Sequence, residues 1–144
     1  MKVFTIGSSG QKAEEFFKII NENKIEVLLD VRLHNYSQLL GFTKGIDLGY
    51  FLDVISNCKY IHDKDFCTTE EVLIAYRKKE IEWVKYKAEY LKLMKKRDMI
   101  NLFHEKYGNP SNIMLLCSEK EPDTCHRILL ADGFADSKKD ISHL

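Results

Sequence analysis

Apolar and polar positions alternate over residues 2–7 and stop at Gly7-Ser8-Ser9-Gly10, which reads as a strand running into a turn. Ser8 with Gln11 three residues on matches a capping box, so a helix is expected to start there. Ala13, Phe16, Phe17 and Ile20 then share one helical face, and Asn21-Glu22-Asn23 ends the helix. From Ile25 to Val31 the chain is almost continuously apolar, as a strand buried on both faces must be. Strand, helix and buried strand within about 30 residues form a βαβ unit, so the two strands should run parallel with a right-handed crossover.

Residues 35–46, with Gly41 and Gly45 among polar neighbours, read as a loop. Asp47 is expected to cap a helix carrying Leu48, Phe51, Leu52 and Ile55, and Lys59-Tyr60-Ile61 a third short strand. Thr68 with Glu71 forms a second capping box ahead of Val72, Leu73 and Tyr76. Helical spacing then persists through Ile81, Val84, Ala88, Leu91, Met94 and Phe103 to Gly108. One rod of that length is unusual, so at least one break is expected, near Lys78-Lys79 or near Asp98. Asn109-Pro110-Ser111 is a turn, and Ile113 to Cys117 a second fully apolar strand. Pro122-Asp123-Thr124 leads into a helix from about Cys125 to Asp132, and Ile141 to Leu144 closes a last strand. No repeat, linker or low-complexity stretch interrupts this order. The expectation is a single α/β domain over residues 1–144: a mostly parallel sheet flanked by helices, with a helical insertion in the middle of the chain.

Composition adds little to that picture. The 144 residues, 44% apolar and 31% charged, suit one globular domain. No run approaches the 18 or so apolar residues of a membrane helix. Met1 to Gly7 reads as a strand rather than a signal peptide, so no membrane partner and a cytoplasmic location are expected. In that setting Cys58, Cys67, Cys117 and Cys125 should be free thiols. The net charge of zero is unevenly spread: residues 77–97 hold 9 basic and 3 acidic side chains. Trp83, Tyr86 and Tyr90 interleave there with Lys79, Lys85 and Lys87, a pattern that could stack and neutralise a single-stranded nucleic acid. Helical spacing favours the plainer account, aromatics packed inward and lysines solvated.

Chemistry concentrates where strands end. In open parallel sheets ligands bind beyond the carboxyl ends of the strands, and three such ends are visible: Gly7-Ser8-Ser9, Asp30-Val31-Arg32 and Cys117-Ser118-Glu119. Asp30 and Arg32 project to one side if extended, and a charged pair ending an apolar strand must be paired or bound to a ligand. The third end continues through a loop to Cys125-His126-Arg127, where a helix starts and its free N–H groups favour an anion. Arg127 could grip a phosphate or carboxylate, His126 could carry a proton, and Glu119 could act as acid or base or hold an arginine. The cysteines admit three readings: Cys117 as nucleophile beside His126, a zinc site of Cys117, Cys125, His126 and His143, or small buried apolar side chains. The Cys117–Cys125 spacing matches no zinc knuckle, and adjacent Cys125 and His126 argue against both meeting one ion, so no metal and no cofactor are expected. His34, His62 and His104 show no partner pattern.

Leu28-Leu29-Asp30-Val31-Arg32 is similar to the strand motif of rhodanese-like domains. Nine residues separate Cys117 from Arg127, however, and Glu119, Glu121 and Asp123 among them would repel the anion that the short cradle of that class holds. Taken together, Thr5-Ile6-Gly7-Ser8-Ser9, Leu29-Asp30-Val31-Arg32, Leu115-Leu116-Cys117-Ser118-Glu119, Cys125-His126-Arg127 and Ile141-Ser142-His143-Leu144 resemble the domain-of-unknown-function 488 family, in its order and over nearly the whole chain. The resemblance implies a compact α/β fold with Asp30, Arg32, Cys117, Glu119, Cys125, His126, Arg127 and His143 as signature positions, and it names no reaction. Two departures stand out: Ser8 occupies a place where the family often has histidine, and His34-Asn35-Tyr36-Ser37 replaces a stretch that often carries proline.

These readings lead to an expected small enzyme acting on a phosphate- or carboxylate-bearing ligand, a nucleotide or nucleic acid among the candidates. Cys117, Glu119 and His126 are its expected catalytic residues. Ser8, Ser9, Asp30, Arg32, Cys125, Arg127 and His143 are its expected ligand-binding residues. Two rivals remain: a non-catalytic nucleic-acid-binding module using the basic helix 77–97, and a purely structural ion-pair network of Asp30, Arg32, Glu119 and Arg127.

Overall fold

The computed structural model describes residues 1–36 and 41–144; residues 37–40, inside the expected 35–46 loop, lie outside it. Five strands form one sheet: β1 (Lys2–Gly7), β2 (Val27–Asp30), β3 (Lys59–His62), β4 (Asn112–Cys117) and β5 (Ile141–His143). Their order is β3-β2-β4-β1-β5, and every pairing is parallel. Helices α1 (Ala13–Glu22) and α2 (Gly45–Ser56) join the first three strands. The expected helical insertion is α3 (Glu70–Arg77), α4 (Trp83–Lys96) and α5 (Met99–Tyr107), and α6 (His126–Phe134) joins β4 to β5. No described helix is long and apolar enough to cross a membrane.

Side-chain alternation divides the core in two. Phe4, Ile6, Leu28, Met114 and Leu116 face α1 and α2, where they meet Phe16, Phe17, Ile20, Leu48 and Leu52. Val3, Leu29, Ile113, Leu115 and Cys117 face the other way, against Tyr86, Tyr90, Met94, Phe103, Leu130 and Phe134 of α4, α5 and α6. The crossovers after β1 and β4 thus leave adjacent strands for opposite faces. That is the switch point at which such sheets open a crevice.

The insertion breaks at both expected places, with Lys79 (φ 58°) and Asp98 (φ 50°) in the left-handed region. The helix starts are less faithful to the capping boxes. Ser8 caps nothing, because its N–H donates to the Cys117 carbonyl (2.8 Å) and prolongs the sheet, so α1 begins only after Lys12. Thr69 rather than Thr68 caps α3, its hydroxyl accepting from Val72 N at 3.4 Å. Asp47 falls inside the first turn of α2: Gly45 N donates to Asn35 O (2.7 Å) and pulls the start back to Gly45. On α4, Tyr86 and Tyr90 are 2% and 1% exposed, while Lys85 and Lys92 pair with Glu89 at the surface. Those two tyrosines pack inward and offer no stacking platform.

Candidate functional site

The site is built around the exit of β4. Ser8 N and Ser9 N donate to the carbonyls of Cys117 and Ser118 (2.8 and 3.1 Å), so β1 guides the chain for two residues beyond the strand. The loop then crosses directly over Gly7, where an added Cβ would overlap the Glu119 carbonyl. Only glycine allows that approach. From α6, Arg127 reaches back, donating Nη1 to the Glu119 carbonyl and Nη2 to the Lys120 carbonyl (2.9 Å). Arg127 is 1% exposed, and among the described residues no carboxylate forms an ion pair with it. Arg127 thus braces the loop through charge-assisted bonds of roughly 1.5–3 kcal/mol each, and its buried Nε has no partner among the described residues.

The loop and the first turn of α6 bring Cys117, Cys125 and His126 together. All three are buried, and their ligand atoms lie within 4.8 Å of one another. Cys117 Sγ stands 3.9 Å from His126 Nδ1. The expectation that neighbours Cys125 and His126 would diverge fails because Cys125 is the extended N-cap (φ −129°, ψ 139°) and His126 the first helical residue. That bend in the backbone turns both side chains to one place. A hydrogen bond from the Cys125 thiol holds the Cys117 thiol below its ordinary value against the upward push of burial, with the Ser118 N–H and the Arg127 charge assisting. Cys125 is pushed up correspondingly, by Cys117 first and by burial. His126 Nε2 donates to the Val31 carbonyl (3.1 Å), and with that tautomer Nδ1 accepts from Tyr86 OH (3.1 Å). The Tyr90 ring lies against the imidazole at 4.8 Å between centroids.

The β2 end is a closed network. Asp30 accepts from Arg32 Nε (2.8 Å), Arg32 Nη2 (2.6 Å) and Tyr60 OH (2.6 Å). Arg32 Nη2 also donates to the Thr43 carbonyl (2.8 Å), and His62 Nε2 donates to the Arg32 carbonyl (2.7 Å). Burial works against the Arg32 charge, but Asp30 outweighs it and holds the guanidinium above its ordinary value. The same burial, together with Asp30, raises Tyr60. Asp30 and Arg32 thus form the expected ion pair, while Glu119 meets Arg127 only through its backbone.

A narrow cleft of about 30 Å³ opens beside the cysteines, room for two or three waters at roughly 10–15 Å³ each. Of the expected residues, Arg32, Cys117, Glu119, Cys125 and His126 line it. Ser8 and Ser9 act through their backbone, and Asp30 and Arg127 support its walls from behind. His143 sits apart on β5, exposed, with Nδ1 against Thr5 Oγ1 (2.8 Å). The far wall comes from His34, Tyr76, Arg77 and Tyr86, with Tyr76 OH donating to the Thr124 carbonyl (3.1 Å). Arg77 and Tyr86 figured in the sequence only within the basic stretch 77–97, and His34 and Tyr76 not as site residues at all; helical spacing placed Tyr76 and Tyr86 on inward faces without saying what they cover. A larger groove of about 640 Å³ beside Phe17, Phe42 and Phe51 is apolar and lies away from these groups.

The sequence profile of the family described as "Domain of unknown function DUF488" matches residues 12–134, most of the chain. The chain belongs to that family. No curated protein and no solved structure matches it.

Proposed function

We propose that this member of the DUF488 family is a small enzyme acting on a phosphate- or carboxylate-bearing ligand, nucleotides and nucleic-acid ends included, in the cleft beside Cys117. The observation that carries the reading is the convergence of Cys117, Cys125 and His126 on a cleft also lined by Arg32 and Glu119. Ionisable groups gathered at a strand-end crevice are the usual mark of a reaction site. Each group has a part. Cys117 supplies an electron-rich sulfur; His126 and Glu119 handle protons; Arg32 and Arg77 contribute positive charge at the wall and rim. The inner volume admits a reacting atom and a water, so the body of the ligand lies across the rim between His34, Arg77 and Glu119.

A panel of nucleotides, sugar phosphates, short oligonucleotides and small carboxylates tests this by thermal shift and by product analysis. At least one class should raise the melting temperature and be turned over, with turnover lost in Cys117→Ser and His126→Gln proteins that remain folded. A panel that neither stabilises nor reacts, or turnover unchanged in both variants, contradicts the reading.

A further inference from the structure

We propose that Cys117 Sγ, Cys125 Sγ and His126 Nδ1 are three ligands of a site for a soft divalent cation of the zinc class, with its fourth position open to the cleft. The donors already stand close to the required arrangement. Tetrahedral zinc with sulfur at about 2.3 Å and nitrogen at about 2.0–2.1 Å sets neighbouring donors roughly 3.5–3.8 Å apart. Here Cys117 Sγ and His126 Nδ1 are separated by 3.9 Å, and all three donor atoms fit within 4.8 Å. Small side-chain adjustments close that gap.

The imidazole is oriented for the task. A ligating histidine usually donates its second nitrogen to a carbonyl or carboxylate, which fixes the ring and its tautomer. His126 Nε2 does this toward Val31 O (3.1 Å), leaving Nδ1 as the ligating nitrogen; Cys117 Sγ lies 3.9 Å from Nδ1 and 4.0 Å from Nε2, so a turn of the Cys117 side chain carries the sulfur round to the Nδ1 side. Tyr86 OH, now 3.1 Å from Nδ1, is the partner a cation displaces. Cys125 is held equally firmly, its N–H donating to Pro122 O (3.0 Å) and its carbonyl accepting from Ile128 N (3.2 Å). Two sulfurs and one nitrogen select a soft cation over magnesium or calcium, which take oxygen ligands.

The cleft supplies the fourth position. Its volume of about 30 Å³ suits a water or one ligand oxygen bound to the ion. A cation there also answers a question of charge. Arg127 is spent on the Glu119 and Lys120 carbonyls, and Arg32 gives Nε and Nη2 to Asp30. Neither arginine has a terminal fork free to hold an anion, whereas a metal would hold one directly. The inference rests on the proposed anion site only for the identity of that fourth ligand, and with the cation bound His126 is a ligand and proton handling falls to Glu119.

The test is a titration of the chelator-stripped, reduced full chain with cobalt(II), read by the thiolate-to-cobalt charge-transfer band. One saturable site per chain, displaced by zinc(II), is expected. Cys117→Ser and Cys125→Ser should each weaken it at least about tenfold with circular dichroism unchanged, and Cys58→Ser, in the opposite core, should bind as wild type. If a site variant fails to fold, the wild-type and Cys58→Ser titrations still decide the matter. Absence of the band, or a band undiminished in folded Cys117→Ser and Cys125→Ser proteins, overturns the proposal. Cobalt refused while a phosphate or carboxylate compound still stabilises the wild type refutes the metal and spares the anion site. Cobalt bound while the whole panel fails supports the metal and refutes the anion.

Discussion

β2 and β4 lie side by side and end within one step of register, Asp30 opposite Leu116, yet their last side chains turn to opposite faces of the sheet. Asp30 follows the parity of Leu28 toward α2, where Arg32 and Tyr60 satisfy it. Cys117 follows Ile113 and Leu115 toward α4 and α6, and meets Cys125, His126 and a cleft. One end is a charge matched internally; the other is a set of electron-pair donors that no ion pair closes among the described residues. The first fixes shape, and the second is left able to act. Loss of the first should be read in stability, and loss of the second in chemistry.

The largest effect is expected at the closed end. Asp30→Ala strands Arg32 as a buried charge and should cost roughly 3–5 kcal/mol in denaturant unfolding. A cost below about 1 kcal/mol would erase the distinction. Gly7→Ala comes next: the new methyl meets the Glu119 carbonyl, and the loop must shift at a cost of about 1–3 kcal/mol. Turnover should fall with it, since that loop carries Glu119 and sets Cys125 and His126 beside Cys117. Cys117→Ala removes one small buried side chain and should cost only about 1 kcal/mol while abolishing turnover. The reverse pattern would make Cys117 simply core.

The smallest effect concerns the turn after β3, which extends the closed side through Asp63 N to the Asp30 carbonyl (3.4 Å). Burial pushes Asp63 up, but hydrogen bonds from Tyr107 (2.7 Å) and Lys106 (2.9 Å) outweigh it and hold the carboxyl below its ordinary value. A depressed carboxyl stabilises the fold above its unfolded value, near pH 4, and that contribution vanishes as pH falls through the folded value. Wild type should therefore lose stability on acidification more steeply than Asp63→Asn, by about 1 kcal/mol or less. Parallel acid limbs in pH-dependent melting would show that Asp63 contributes nothing.

Much of this was legible in the sequence because it depends on local pattern. The runs Ile25–Val31 and Ile113–Cys117 mark the doubly covered central strands, and the three strand ends mark the crevice. Parity could also have shown that Asp30 and Cys117 face apart, once β2 and β4 were known to be neighbours. Other features depend on backbone placed by the tertiary fold. Arg127 bonds to carbonyls, acceptors that every residue carries and no sequence pattern advertises. Ser8 looks like a cap but is drawn into the sheet by β4. Cys125 and His126 converge because a strand-like N-cap gives way to a helix between them. The wall formed by Tyr76, Arg77 and Tyr86 depends on how the helical insertion folds back over the strand ends.

Competitive alkylation of the native, chelator-stripped protein, read cysteine by cysteine with isotope-coded iodoacetamide, tests the open end most directly. Cys117 should react at least about tenfold faster than Cys58, whose thiol burial pushes up to about 12, and a stabilising phosphate or carboxylate compound should slow Cys117 alone. Equal or slower labelling of Cys117 would mean that the end of β4 is as closed as the end of β2, and the candidate site would fall.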